Sequence, residues 1–205
     1  MNEFAAGAAE LAGRDPALAR AIAAVGPPNV RPPQDTAFAA LCRSIVYQQL
    51  AGRAAAAIHG RFLAVVGPEL THQAVLEATE ADLRGAGLSA AKTASLRDLA
   101  ARVGDGRVPL EGIEELADDE IVARLVGVRG IGRWTAEMFL IFQLRRPDVW
   151  PVDDLAVRRG YAVMHGLEEW PKPKELDRLG DVYRPWRTVA AWYCWRMTEV
   201  VLPAS

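Results

Sequence analysis

Cysteine is scarce: Cys42 and Cys194 are the only two in 205 residues. Two thiols can form neither a disulfide framework nor the four-thiolate set of an iron–sulfur cluster, and they fit a reducing cytoplasm of the bacterial type. His59, His72 and His165 are scattered without metal-ligand spacing, so they read as ordinary surface or core residues. No apolar run approaches the roughly eighteen residues of a membrane span. The start, MNEFAAGAAELAGRDP, carries acids early and has no basic stretch before an apolar run, so no secretory signal is expected. Period-two alternation long enough for a sheet is missing, as are tandem repeats and low-complexity tails. Positive charge is not in excess either, and a formal net charge of −2 argues against an easy nucleic-acid reading.

The charge that is present is segregated. Glu111, Glu114, Glu115, Asp118, Asp119 and Glu120 form an acidic block, whereas Arg129, Arg133, Arg145, Arg146, Arg158 and Arg159 gather in the stretch that follows. A basic face is therefore compatible with the acidic total, although charge runs are more often solvated helix faces. Hydrophobic residues make up 51% of the chain, enough for one substantial core or two small lobes. Their spacing is helical throughout. Asp15 with Pro16 opens a helix that ends at Gly26-Pro27-Pro28, and Asp35 or Thr36 caps the next, which reaches Tyr47-Gln48-Gln49-Leu50. A third helix runs from Gly52 to Gly67-Pro68, and short helices follow from Thr71 to Asp82. Ser89 caps a helix through Leu96, Leu99 and Val103. After the acidic block come a helix through Ile121, Val122 and Leu125, another through Met138 to Phe142, and a third beyond Asp154. A short one covers Leu176 to Leu179, and a last one is expected to start at Pro185 and end near Pro203. The chain reads as all-α.

One stretch stands apart, Leu125 to Asp154, LVGVRGIGRWTAEMFLIFQLRRPDVWPVDD. Val126-Gly127-Val128-Arg129-Gly130-Ile131-Gly132 is a glycine-punctuated turn between two helical segments. Gly130 and Gly132 let the first amides of the second helix face outward with no side chain in the way, which is an anion site. Trp134 follows two residues later, and Trp150-Pro151-Val152-Asp153-Asp154 closes the unit with a carboxylate pair. An aspartate before LAVRRGY is also a good helix cap.

Together, LVGVRGIGRWTAE and WPVDDLAVRRG resemble the hairpin and the catalytic aspartate of the helix-hairpin-helix DNA glycosylases, in particular the 3-methyladenine DNA glycosylase II branch. FAALCRSIVYQQLAGRAAAAI, GLSAAKTASLRDLA and RPWRTVAAWYCW resemble three further segments of that family, in the right order, so the resemblance spans most of the chain. It implies a two-lobed, all-α helix-hairpin-helix glycosylase fold with its active site in the cleft between lobes. A middle lobe would cover about residues 35–110. Residues 1–34 with 111–205 would form the other lobe, carrying the helix-hairpin-helix at 118–145. The β-rich N-terminal domain of some members has no counterpart in this sequence.

The resemblance also assigns roles. Asp154 is the catalytic carboxylate, leaving Asp153 as the helix cap. Trp134 and Trp195 are the aromatic surfaces that hold an extruded base, with Met138, one turn beyond Trp134, as a wall. Trp150, Trp170, Trp186 and Trp192 read as core. Gln48, Gln49 and Leu50 lie where relatives push a side chain into the duplex, Gln49 being the closest match. The amides of Gly130, Gly132 and Thr135 hold phosphate, and the carbonyls of Val126, Val128 and Ile131 place a monovalent cation, Na+ or K+. No redox or organic cofactor and no iron–sulfur cluster is required. Where strand-cleaving relatives carry a Schiff-base lysine this chain has Trp134, so the implied enzyme is monofunctional. Its partner is double-stranded DNA containing damaged bases, without a membrane, and the expected state is monomeric. A non-catalytic hairpin module, and a glycosylase for oxidised, deaminated or mismatched bases, are the alternatives.

Overall fold

The computed structural model describes residues 3–199. In chain order it contains α1 (Glu3–Ala12), α2 (Pro16–Val25), α3 (Ala37–Tyr47), α4 (Gly52–Val66), α5 (His72–Glu77), α6 (Glu80–Gly85) and α7 (Ala90–Gly104). These are followed by α8 (Asp118–Val126), α9 (Arg133–Phe142), α10 (Leu155–His165), α11 (Pro173–Leu179) and α12 (Arg187–Met197), with short 3₁₀ turns at Ile113–Glu115 and Gly180–Tyr183. No strand occurs among the described residues, and no helix among them is long and apolar enough to cross a membrane.

Small polar caps explain many of the helix starts. Asp15, Thr36, Thr71, Thr79 and Ser89 each accept a hydrogen bond from an amide in the first turn of α2, α3, α5, α6 and α7; such a cap stabilises a helix by about 1 kcal/mol. Thr36, rather than Asp35, caps α3.

Two bodies make up the chain: a terminal body of residues up to Pro32 together with those from Leu140 onward, and a central body from Pro33 to Phe139. The boundary falls inside α9 instead of near residue 110, so the glycine turn belongs with the central body. Two bonds hold the turn to that body. Arg129 N–H donates to the Asp98 carboxylate on α7 (2.7 Å), and the Gln48 amide donates to the Gly130 carbonyl (2.9 Å). In the central body Leu41, Ile45, Phe62, Leu96, Leu99, Ile121 and Leu125 are fully buried.

The terminal body packs α1, α2, α10 and α12 around Phe4, Leu11, Leu18, Val157, Tyr161, Tyr183, Val189 and Tyr193. Its tightest point is between α10 and α12, where a Cβ on Gly160 would lie 1.8 Å from the Cys194 carbonyl oxygen. Only glycine permits that approach. The Cys194 thiol below it is fully buried, and burial holds its pKa above the ordinary range, with the Asp15 and Asp154 charges adding to the shift.

Three expectations are corrected. Helix α1 is not among the helices expected from the sequence, and its Phe4, Ala8 and Leu11 supply a buried face. The last helix is Arg187–Met197 and so begins two residues after Pro185; Pro203, its expected end, is outside the described residues. Residues from 200 onward lie outside the described ones. Trp170, expected in the core, is 48% exposed on the loop after α10. Of the other tryptophans read as core, Trp150 is buried, while Trp186 and Trp192 pack against the terminal core partly buried.

Candidate functional site

In the central body, the turn between α8 and α9 is built from a few local bonds. Val128 N–H donates to Leu125 O (3.0 Å), Ile131 N–H to Val128 O (3.1 Å) and Ala136 N–H to Gly132 O (3.1 Å). The amides of Gly130, Gly132 and Thr135 take no part in these bonds. Gly130 has φ +78, and a Cβ there would fall 2.5 Å from Ser95 Oγ, so a glycine is required both by backbone conformation and by the contact with α7. Nothing lies within 4 Å of a Cβ placed on Gly132; this glycine keeps the front of α9 open. Val128 and Ile131 are buried and pin the turn from behind, while Val126 is exposed.

Beyond the turn, Trp134 is 46% exposed, Met138 is half-buried and Phe142 is 45% exposed. Their four-residue spacing puts them along one stripe of α9. Thr135 and Glu137 point inward, and Arg133 donates to Glu137 (3.0 Å). The loop after α3 carries Gln49 and Leu50, both exposed, with Gln49 at φ +56. That is a conformation few residues other than glycine adopt.

The terminal body supplies the carboxylate. Trp150 is buried and its indole N–H donates to Leu176 O (2.8 Å), in a space that a side chain at Gly180 would fill. Thr188 ties the preceding residues to α12, accepting from Val149 N–H (3.0 Å) and donating to Arg146 O (2.6 Å), while Arg187 grips Asp148 through Nε–Oδ1 at 2.7 Å and Nη2–Oδ2 at 2.9 Å. From these anchors the chain folds back, Val152 N–H to Trp150 O and Asp154 N–H to Pro151 O. Asp154 then caps α10: its Oδ1 accepts from Ala156 N–H (2.8 Å) and Val157 N–H (2.9 Å). The expectation that Asp153 is the cap is therefore corrected. Asp154 directly precedes the first helical residue, whereas Asp153 is exposed. Both capping bonds fall on one oxygen, so the carboxylate is oriented as well as held at the positive end of a helix.

Trp195 is partly buried and stacks on Phe142, with ring centroids 5.7 Å apart and planes inclined by 27°. In the sequence Phe142 reads only as part of the apolar run of this helix, although its place eight residues beyond Trp134 is the signal for the shared stripe. The arginine cluster is less available than its spacing suggested. Arg145 donates to Val30 O (2.7 Å) and lies over the Phe4 ring, Arg158 donates to Pro171 O (2.8 Å), and Arg133 is paired with Glu137; Arg129 and Arg159 are exposed. No group of three or more metal-binding side chains occurs among the described residues.

Comparison with known proteins is concordant with this geometry. DNA-3-methyladenine glycosylase 1 of Schizosaccharomyces pombe is 36% identical over 195 residues, covering 93% of this chain and 86% of that protein. The solved structure of S. pombe 3-methyladenine DNA glycosylase (Mag1) in complex with abasic DNA superposes with a TM-score of 0.81 at 35% identity, over 95% of this chain and 97% of the other. A DNA-3-methyladenine glycosidase from Bacillus halodurans gives a TM-score of 0.84 at 34% identity, over 91% and 86%. Residues 42–185 match the family model described as HhH-GPD superfamily base excision DNA repair protein. The glycine turn, the arms that hold it and the capped aspartate all fall inside that span, and the chain belongs to the HhH-GPD superfamily of base excision DNA repair proteins.

Proposed function

We propose that this protein is a monofunctional DNA glycosylase that hydrolyses the N-glycosidic bond of alkylated bases of the 3-methyladenine and 7-methylguanine type. Relatives bearing that activity in their names support the reading, and the observation that carries it is Asp154. This carboxylate is oriented by two amides at a helix start, in the same body as a stacked Phe142–Trp195 pair.

The chemistry follows from charge. An alkylated purine already carries positive charge, so it departs without a general acid. The C1′–N bond breaks with both electrons moving to the base, and an oxocarbenium-like sugar is left behind. Asp154 stabilises that cation and receives the proton of the attacking water as the new C1′–O bond forms. Trp134, Met138 and Trp195 hold the flipped base, and a cationic base on an indole gains about 0.5–2 kcal/mol that a neutral base lacks. The amides of Gly130, Gly132 and Thr135 take the phosphate, and Gln49 with Leu50 fills the vacated stack. The carbonyls of Val126, Val128 and Ile131 suit a hard monovalent cation. Val128 O gives one lone pair to Ile131 N–H and keeps the second, and a cation bound there would add positive charge beside the phosphate. No amine stands at position 134 for imine formation, so the strand is not incised. The protein acts as a monomer in a reducing cytoplasm, consistent with two buried free thiols.

Methylated duplex DNA is the substrate to test. Free 3-methyladenine or 7-methylguanine should appear with wild-type protein, without strand cleavage before alkaline treatment. Preference for 8-oxoguanine, uracil or hypoxanthine over the methylated bases would overturn the cation argument.

A further inference from the structure

The central body contains a bridge that the assigned roles do not use. The Gln48 side-chain amide donates to the Gly130 carbonyl (2.9 Å), spanning from the loop after α3 to the crest of the glycine turn. The backbone of the same residue is also tethered: Lys92 Nζ donates to the carbonyls of Gln48 (2.8 Å) and Val46 (2.7 Å). Leu50 N–H returns to Tyr47 O (3.3 Å), and between these anchors Gln49 is held at φ +56. A residue in that conformation relaxes unless its surroundings over-determine it.

Helix α7 backs both segments. Lys92, Ser95 and Asp98 recur every third residue on one face of that helix. Lys92 grips the loop, Ser95 packs against Gly130, and Asp98 accepts from Arg129 N–H (2.7 Å). Removal from water draws the Lys92 ammonium below its usual pKa, and the two carbonyl bonds are what hold the ammonium in that place.

We propose that Gln48 is a positioning residue that ties the phosphate-binding turn to the insertion loop, with Lys92 as the second tether, so that both segments engage DNA as one rigid piece. Capture of a phosphate by the turn then fixes the depth to which Gln49 enters the duplex. A Gln48 freed from Gly130 leaves the phosphate amides intact and the insertion residue loose. The proposal rests on the glycosylase reading for the meaning of insertion, but its test does not need catalysis.

The experiment uses a duplex with a tetrahydrofuran abasic site flanked by 2-aminopurine, whose fluorescence rises when it is unstacked. Gln48→Ala should lower the fluorescence amplitude at saturating protein, and the single-turnover rate on methylated DNA, by about three- to tenfold, the effect of one hydrogen bond. Affinity for undamaged duplex should stay within about twofold, since the phosphate contacts persist. Gln48→Glu keeps the shape but sets an acceptor against the Gly130 carbonyl, and should be worse than Ala. Gln48→Asn, a methylene too short, and Lys92→Met should follow the Ala pattern, with thermal unfolding confirming that each variant is folded. Retained amplitude in Gln48→Ala, a Gln48→Glu variant equal to wild type, or a proportional loss of affinity for undamaged duplex would each overturn the bridge. Absence of base release by wild type with the fluorescence pattern intact would instead remove the glycosylase reading and leave the bridge standing.

Discussion

The starts of α9 and α10 are built in opposite ways. In front of α9 stands Gly132, with nothing within 4 Å of where its Cβ would be, and the turn's own bonds leave out the amides of Gly130, Gly132 and Thr135. In front of α10 stands Asp154, whose Oδ1 takes two amides of the first turn. Both helices present a positive pole. One start is left open, as the proposed phosphate contact requires, while the other is closed with an anion from inside. The difference teaches that capping and the catalytic role proposed for Asp154 are compatible descriptions of one carboxylate. Capping by one oxygen is the means by which the group is aimed.

The sharpest way to break this comparison is to separate capping from charge. Asp154→Asn keeps an oxygen for the amides of Ala156 and Val157 but removes the negative charge. Base release in single turnover should fall by about 100-fold or more, with the melting temperature nearly unchanged. Asp154→Ala should lose the same activity and in addition about 1 kcal/mol of stability, the value of an N-cap. An Asn variant that keeps the full rate would move the chemistry elsewhere.

The next effect concerns what holds α10. Gly160→Ala places a methyl 1.8 Å from the Cys194 carbonyl. That backbone cannot yield as a side-chain tip would, so the helices must part, at a cost of about 1–3 kcal/mol or more. Denaturant unfolding should show the loss, and activity should fall because the Asp154 end of the helix moves with it.

Smaller still is the effect expected at the open helix. Gly132→Ala meets no atom in the fold, so stability should change by less than about 0.5 kcal/mol. A methyl there obstructs a phosphate, and affinity for duplex DNA should drop about three- to tenfold. Gly130→Ala is the counter-case. Its positive φ and the Ser95 contact make it costly to the fold itself, by roughly 1–2 kcal/mol from the backbone alone. If Gly132→Ala were silent in binding titrations, the open-helix account would fail.

Which parts of this were legible in the sequence follows from the range of the forces involved. Helix starts marked by Ser89, Asp15 or the Gly130-Ile131-Gly132 run depend on residues within a turn of one another, and they came out as expected. Trp150 reads correctly as core, as its neighbour Val149 is buried with it. Trp170 does not, since its neighbours Glu169 and Pro171 give no face to bury against. The Gln48–Gly130 bond joins residues 82 positions apart, and the Asp98 anchor of Arg129 spans 31. No local pattern encodes such pairings, and they hold the turn to the central body. Arg145 and Arg158 misled for the same reason: their acceptors, Val30 O and Pro171 O, are backbone atoms that a charge count does not see.

A third helix start completes the series and gives the smallest expected effect. Asp15 caps α2 through Oδ1, from Ala17 N–H at 2.8 Å, but its Oδ2 is also committed, to the Tyr183 hydroxyl (2.5 Å) and His165 Nε2 (2.9 Å). It is a carboxylate with both oxygens used inside the fold. Burial alone would raise its pKa; the hydrogen bonds from Tyr183 and His165 and the charge of His165 outweigh that and bring it below the ordinary 3.8. A depressed carboxylate contributes stability that is present above the unfolded value and disappears as pH falls through the folded one. Acid unfolding should therefore show a component setting in below about pH 3.8 that Asp15→Asn removes. Tyr183 has the opposite sign. Burial first, and the bond to Asp15 second, raise its pKa from the ordinary 10.0, so its contribution is complete below pH 10 and wanes above it, which Tyr183→Phe should abolish. Neither substitution touches the groups proposed for base release, and at neutral pH the rate on methylated DNA should match wild type wherever the variant is folded. A rate loss without a change in the acid or alkaline limb would mean that Asp15 serves the reaction and not the fold.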